Sequence, residues 1–338
     1  VQPLPHVALF ALGGTIAAPV DSAGRNASMT LGADELVGDL AGRAGVTVSA
    51  TTFRRLPSAS IRFADLLALS RSIGAALSDG ATGAVVTVGT DSLEEIAYAL
   101  DLLHGGDEPI VVTGAMRNAG LPGADGPANL LGALRVATHP FARGQGVLVV
   151  MNDEIHLARF VSKAHSSSVA AFRSAGVGPV GWLVEDRVRI PLLRRSRPDP
   201  LDIATADVPT AEAVSTPVVS LLRLSLDDDP EWPAHLAQHS DAMVVEVFGA
   251  GHAPERSMDA LRTAAQRIPV VFASRTGAGE LYRSTGSFPG SEQDLLAGGL
   301  ISAGSLDGVK SRVLLSLLLQ TGLSGLDLRN AFADYASA

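Results

Sequence analysis

Cysteine is absent from this 338-residue chain. That excludes a disulfide framework, a thiolate zinc site and a cysteine nucleophile. Lysine is nearly absent as well: among 26 basic residues only Lys163 and Lys310 are lysines, and every other one is arginine. Positive charge is in deficit, with 35 acidic residues and a formal net charge of −9. Overall charge therefore disfavours nucleic acid and anionic membranes as partners, because both require phosphates to be neutralised. Long hydrophobic runs are missing too. The strongly apolar stretch 313–319 contains Ser316 and is far shorter than the roughly 20 residues that span a bilayer. The first residues, VQPLPHVALFALGG, carry no basic region, and the apolar run 7–12 is short for a signal-peptide core. The expectation is a soluble, cytoplasmic chain, with a leader removed before residue 1 left open.

Apolar residues, in contrast, make up 46% of the chain, too many for a disordered polymer. The length suits about two domains. Strands are predicted at 7–12, 46–52, 83–88, 109–113 and 146–151, alternating with helices at 33–41, 63–78, 92–103 and 126–137. This alternation predicts an α/β fold with a mostly parallel sheet flanked by helices. In 92–103, Leu93, Ile96, Ala97, Leu100 and Leu103 fall on one face at helical spacing. The run AVVTV at 84–88 is apolar throughout, as for a strand covered on both sides. The stretch 191–217 holds five prolines and an RRSR run, which predicts an extended linker. Beyond it, strands at 218–223, 242–248 and 269–274 and helices at 254–267 and 307–321 predict a smaller α/β domain. The expected division is thus 1–190, a linker at 191–217, and 218–338.

Ligands of open α/β sheets bind beyond the carboxyl ends of the strands, and three such ends are unusual here. After the first strand comes Gly13-Gly14-Thr15-Ile16-Ala17. Two glycines permit a sharp turn and close backbone approach, and they present a threonine hydroxyl; an ordinary turn is the plain alternative. No G-x-G-x-x-G and no Gly-Lys-Ser/Thr follows, so nucleotide readings are weak. After strand 83–88 comes Gly89-Thr90-Asp91-Ser92-Leu93-Glu94-Glu95. Asp91 with Glu94 three residues on fits a helix-capping arrangement, and a carboxylate at a strand tip can equally hold an ammonium group. After strand 109–113 comes Gly114-Ala115-Met116-Arg117. Asp125 is placed to cap helix 126–137 with Pro127 in its first turn. Arg117 is either a ligand clamp or a surface residue.

Lys163 lies in FVSKAHSSS. A lysine beside buried hydroxyls can lose its proton or lower the pKa of a hydroxyl network; the alternative is a solvated loop lysine. His235 and His239 have i, i+4 spacing, but no H-E-x-x-H surrounds them, so a surface pair is preferred to a metal site.

The Gly13–Ala17, Gly89–Glu95, Gly114–Arg117 and Asp125–Asn129 motifs, with VLVVMND at 147–153, Ser162-Lys163 and Lys310-Ser311-Arg312, resemble the bacterial-type L-asparaginases. The resemblance runs in order through nearly the whole chain. It implies an L-asparagine amidohydrolase with no metal or organic cofactor, built as a homotetramer of intimate dimers, with some glutaminase activity as an option. Position by position it makes Thr15 the nucleophile. Thr90, Asp91 and Lys163 become a second cluster in which lysine and aspartate polarise a threonine hydroxyl. Asp91 also binds the substrate α-ammonium, Ser58 (with Ser60 close by) the α-carboxylate, and the Ala115 carbonyl lies near the leaving amide. The sequence departs from the pattern in the loop after Thr15. A tyrosine is expected there, but residues 21–30 read DSAGRNASMT. Tyr282 is a conceivable substitute, and Glu280 a conceivable match to an acid supplied by a neighbouring subunit. Ala59, where a polar residue is common, is expected to disfavour glutamine. A different amide substrate, or an amino-acid-binding protein without turnover, are the competing readings.

Overall fold

A computed structural model describes residues 3–21, 27–203 and 216–337. Contacts group the chain into two compact units, Val1–Pro200 and Leu201–Ala338.

The first unit runs β1 (His6–Ala11), α1 (Ala33–Val37), α2 (Leu40–Ala44), β2 (Thr47–Thr52), α3 (Phe63–Ser78), β3 (Gly83–Thr87), α4 (Leu93–Leu103), β4 (Ile110–Thr113), α5 (Gly126–Ala137) and β5 (Val147–Met151). Five short strands follow: β6 (Glu154–Leu157), β7 (Val161–Lys163), β8 (Phe172–Ser174), β9 (Gly181–Val184) and β10 (Arg187–Arg189). The main sheet has eight strands in the order β10-β9-β6-β5-β4-β3-β1-β2, and β7 with β8 forms a separate two-stranded ribbon. Strands β1 to β5 pair in parallel. Strands β6, β9 and β10 extend the sheet antiparallel. Every residue of β3, β4 and β5 is buried, including the threonines that end β3 and β4, as expected of nearly continuous apolar strands covered on both faces. A core of Val7, Leu9, Val85, Val111, Leu134 and Val150 fills the space between sheet and helices.

The single helix predicted at 33–41 is two short ones. Gly38, at φ 44°, takes a backbone conformation that does not continue a helix. The antiparallel extension has no counterpart in the predicted elements, because strands of three or four residues carry too little periodicity to read. In the proline-rich stretch 191–217, residues 204–215 lie outside the described ones. Near its start, the Arg194 guanidinium pairs with Asp101 at 2.9 Å, and the Arg194 backbone N–H donates to Gln145 Oε1 at 2.7 Å. These contacts tie the stretch to the first unit.

The second unit comprises β11 (Val219–Arg223), α6 (Trp232–Ala237), β12 (Ala242–Val247), α7 (Met258–Arg267), β13 (Val270–Ser274), α8 (Glu292–Ala297), β14 (Ile301–Ser302), α9 (Gly308–Gln320) and α10 (Gly325–Ser337). Its sheet is parallel, in sequence order. Helix α9 begins at an Asp307 cap that accepts from the Lys310 N–H. Lys310 is buried, and its ammonium reaches the same carboxylate at 3.0 Å. One of the two lysines is therefore a structural cap partner. No described helix is long and apolar enough to cross a membrane.

Candidate active site

In the first unit's parallel region, β1 lies between β2 and β3. The chain therefore leaves β1 and β3 at the point where strand order reverses, which is where open α/β sheets place their ligands. The loops carrying Thr15 and Thr90 start at these two adjacent strand tips, and the contact between them is made of glycine. Gly13 and Gly14 have φ of 104° and 85°. A Cβ on Gly14 would lie 2.3 Å from the backbone of Gly89, and one on Gly89 would lie 2.9 Å from Ser58 Oγ. Only glycine permits this approach. It brings the Thr15 turn, the Thr90 turn and Ser58 into one cluster.

Within that cluster Thr90 is 6% exposed and Thr15 is half-buried. The Lys163 ammonium donates to Thr90 Oγ1 at 2.9 Å and to Asp91 Oδ1 at 2.7 Å. The lysine side chain is 15% exposed while that of Asp91 is 76% exposed. A buried hydroxyl and a solvent-facing carboxylate thus share one cation. The capping role open to Asp91 and Glu94 is not the one adopted. The N-cap of α4 is Ser92, with no side-chain cap, and both carboxylates turn to Lys163. Asp91 takes its ammonium, and Glu94 Oε2 accepts its backbone N–H at 3.0 Å.

Ser58 is buried and Ser60 exposed. Ser58 Oγ accepts from the Ser92 N–H at 3.3 Å, and its carbonyl accepts from Ser92 Oγ at 2.7 Å. Ser58 is therefore the serine built into the cluster. Ala115 is also buried, and its turn is held from behind. Asp125 occupies the N-cap position of α5, but its carboxylate accepts instead from the N–H groups of Met116 and Arg117 at 2.9–3.1 Å. Asn129 donates to the Gly114 carbonyl and to Asp125, both at 3.0 Å, and accepts from the Asn152 N–H at 3.0 Å. Arg117 is exposed and donates to the Gly123 carbonyl at 3.0 Å.

Part of the loop where a tyrosine was expected, 22–26, lies outside the described residues. In its described part the side chain that meets the turn is Met29, whose Sδ accepts from the Gly14 N–H at 3.1 Å. Tyr282 and Glu280 belong to the second unit. Both are exposed, and Glu280 pairs with Arg283 at 3.3 Å. His235 and His239 are exposed as well.

This geometry coincides with strong similarity to known proteins. The asparaginase N-terminal family model matches residues 6–194, and the glutaminase/asparaginase C-terminal domain matches residues 218–332. The chain belongs to the asparaginase family. An L-asparaginase of Bacillus licheniformis is 33% identical over 95% of this chain and 97% of its own length. A probable L-asparaginase of Deinococcus radiodurans is 35% identical over 98% of each. The crystal structure of a probable cytoplasmic L-asparaginase from Campylobacter jejuni superposes with a TM-score of 0.85 at 30% identity, covering 98% of this chain and all of that one. Sequence reasoning on this asparaginase-family chain passed over Glu94, Asn129 and Met29. Glu94 had only a capping signature to mark it. Asn129 sat inside a recognised motif without a role, and nothing in the local sequence sets Met29 apart.

Proposed function

We propose that the protein hydrolyses L-asparagine to L-aspartate and ammonia with Thr15 as nucleophile. The observation that carries this reading is the two-threonine cluster at the strand-order reversal, with Lys163 hydrogen-bonded to the second threonine. Amide hydrolysis needs a nucleophile, a proton path and donors for the oxyanion. In this reading the Thr15 hydroxyl attacks the side-chain amide carbon. Backbone N–H groups of the two glycine-bearing turns, other than that of Gly14, which Met29 Sδ takes, serve as the oxyanion donors in this reading, and ammonia leaves near the Ala115 carbonyl. Water then releases aspartate from the acyl-enzyme. The proton that leaves the attacking hydroxyl ends on the departing amide nitrogen, relayed by the Thr90 hydroxyl, which the Lys163 ammonium holds at 2.9 Å and whose developing negative charge it offsets. Asp91, largely exposed and at the mouth of the cluster, receives the substrate ammonium, and Ser58 the carboxylate. Glutamine, one methylene longer, is a minor substrate.

The same reading includes a homo-oligomer, a dimer of dimers, in which a neighbouring copy completes each site. Light scattering coupled to size exclusion tests this. The chemistry is tested by following ammonia release from L-asparagine in the wild type and in Thr15→Ala. The variant is expected to keep its fold by circular dichroism and to lose activity by at least about a thousandfold, the scale on which removing a nucleophile acts. Near-normal turnover in Thr15→Ala would refute the assignment of the nucleophile. A wild-type protein that binds asparagine without releasing ammonia would refute the enzyme.

A further inference from the structure

We propose that Glu94 is the positioning residue of Lys163, acting through the lysine's backbone rather than its charge; this rests on the reading of Lys163 as part of the active site. The lysine ends β7, one strand of a three-residue-per-strand ribbon separate from the main sheet. An isolated two-stranded ribbon is at best marginally stable, so its placement depends on what ties it down. At one end β8 is tied by Ser174, whose Oγ lies 3.0 Å from Nδ1 of the buried His156. At the lysine end the tie is Glu94, whose carboxylate accepts the Lys163 N–H at 3.0 Å.

Glu94 sits in the first turn of α4, three residues after Asp91 and four after Thr90. The helix start that presents the two groups bound by the ammonium therefore also grips the main chain from which the ammonium extends. Backbone and side chain of one lysine are fixed to one helix terminus. The distance from Lys163 Nζ to Thr90 Oγ1 does not then depend on how the ribbon rides on the sheet. A misplacement of about 1 Å at such a contact costs on the order of a hundredfold in rate, which is what this grip prevents. Because Glu94 acts on the lysine's main chain and not on the groups assigned to the substrate, its effect belongs to the rate rather than to substrate affinity.

What the N–H requires is an acceptor oxygen, and glutamine supplies one. Kinetics of ammonia release from L-asparagine are therefore measured for wild type, Glu94→Ala, Glu94→Gln and Lys163→Met, with thermal melts for each. Glu94→Ala is expected to lose kcat by about tenfold or more while KM stays within about threefold. Glu94→Gln, which retains the shape and the acceptor, is expected to stay within about threefold of wild type in both. Wild-type kcat in Glu94→Ala, or equal loss in Glu94→Gln and Glu94→Ala, overturns the proposal. So does a rise in KM that matches the fall in kcat. Should Glu94→Ala fail to fold, Glu94→Gln still decides, since loss of kcat there alone refutes the acceptor role. Full activity in Lys163→Met would refute the reading of the lysine itself, whereas loss there beside wild-type kcat in Glu94→Ala would remove Glu94 only.

Discussion

Removing the Lys163 ammonium should reduce turnover by an amount set almost entirely by one of its two contacts. Lys163→Met keeps most of the aliphatic stem and deletes the cation. The contact to Asp91, 2.7 Å long, involves a carboxylate that is 76% exposed. An ion pair so open to water contributes at most about 1 kcal/mol, so its loss alone should lower the melting temperature by only a few degrees. The contact to Thr90 Oγ1, at 2.9 Å, reaches a hydroxyl in a residue that is 6% exposed. A hydrogen bond to a charged group in such a place contributes about 1.5–3 kcal/mol. If that stabilisation is used in the transition state, kcat falls by about 10- to 150-fold. Lys163→Arg keeps the charge but should also lose at least about tenfold. Its planar fork is longer than an ammonium and directs its donors differently, in a site where the native side chain is only 15% exposed. Ammonia release from L-asparagine at saturating substrate reads both variants. Wild-type kcat in Lys163→Met would show that the Thr90 contact stabilises ground and transition states equally and has no part in the rate. Full activity in Lys163→Arg would show that charge alone suffices and that the geometry of the ammonium has no bearing on rate.

Two further outcomes follow from the fold. Gly14→Ala places a Cβ 2.3 Å from Gly89 and demands φ 85° of a non-glycine residue. It should cost about 2–3 kcal/mol and lower ammonia release more than tenfold. Gly45→Ala, with φ 70° and no atom near its Cβ, should cost about 1 kcal/mol and leave kcat alone; equal kinetics in the two variants would contradict the close-approach argument. His156 supplies a pH dependence. Burial lowers its pKa from 6.5 to about 4. Glu154 Oε2, 3.3 Å from Nε2, does not reverse this, because that carboxylate is partly solvated. The unfolded chain then binds a proton that the folded chain refuses. Stability is complete above about pH 6.5 and falls as pH drops, by about 2 kcal/mol at pH 5 and about 3 kcal/mol near pH 4. Urea melts of wild type and His156→Gln between pH 7 and 4.5 should show the variant losing less stability on acidification. Parallel curves would exclude the histidine as the cause.

How far the site was legible depended on whether a residue's role is local. Thr15, Thr90 and Ala115 stand directly after apolar strands, and a residue at the tip of a buried strand is displayed there whatever the rest of the fold does. Asp91 was legible as two alternatives, cap or ligand group. The partner it takes in the fold is the Lys163 ammonium, 72 positions further on, which no local pattern connects to it. Asp125 was placed at the start of its helix, yet its carboxylate went to the 116–117 backbone, whose unpaired N–H groups the sequence does not display. Helix 33–41 was read as continuous because its apolar spacing survives a break; Gly38 at φ 44° made the break.

The sequence by itself determined the parallel strands β1 to β5 and β11 to β13, the helices α3, α4, α5, α7 and α9 and the two glycine-threonine turns, since each depends on residues within a few positions of one another. It also singled out Lys163 by rarity, and it could not separate that lysine from Lys310, which shares the distinction. Tertiary structure separated them. Lys310 is buried against the cap of its own helix, three residues away, whereas Lys163 is carried by a small ribbon to a helix terminus some seventy residues earlier in the chain. The physical reason is that a cation's partner is fixed by which elements pack together, and packing at that range is a property of the whole sheet.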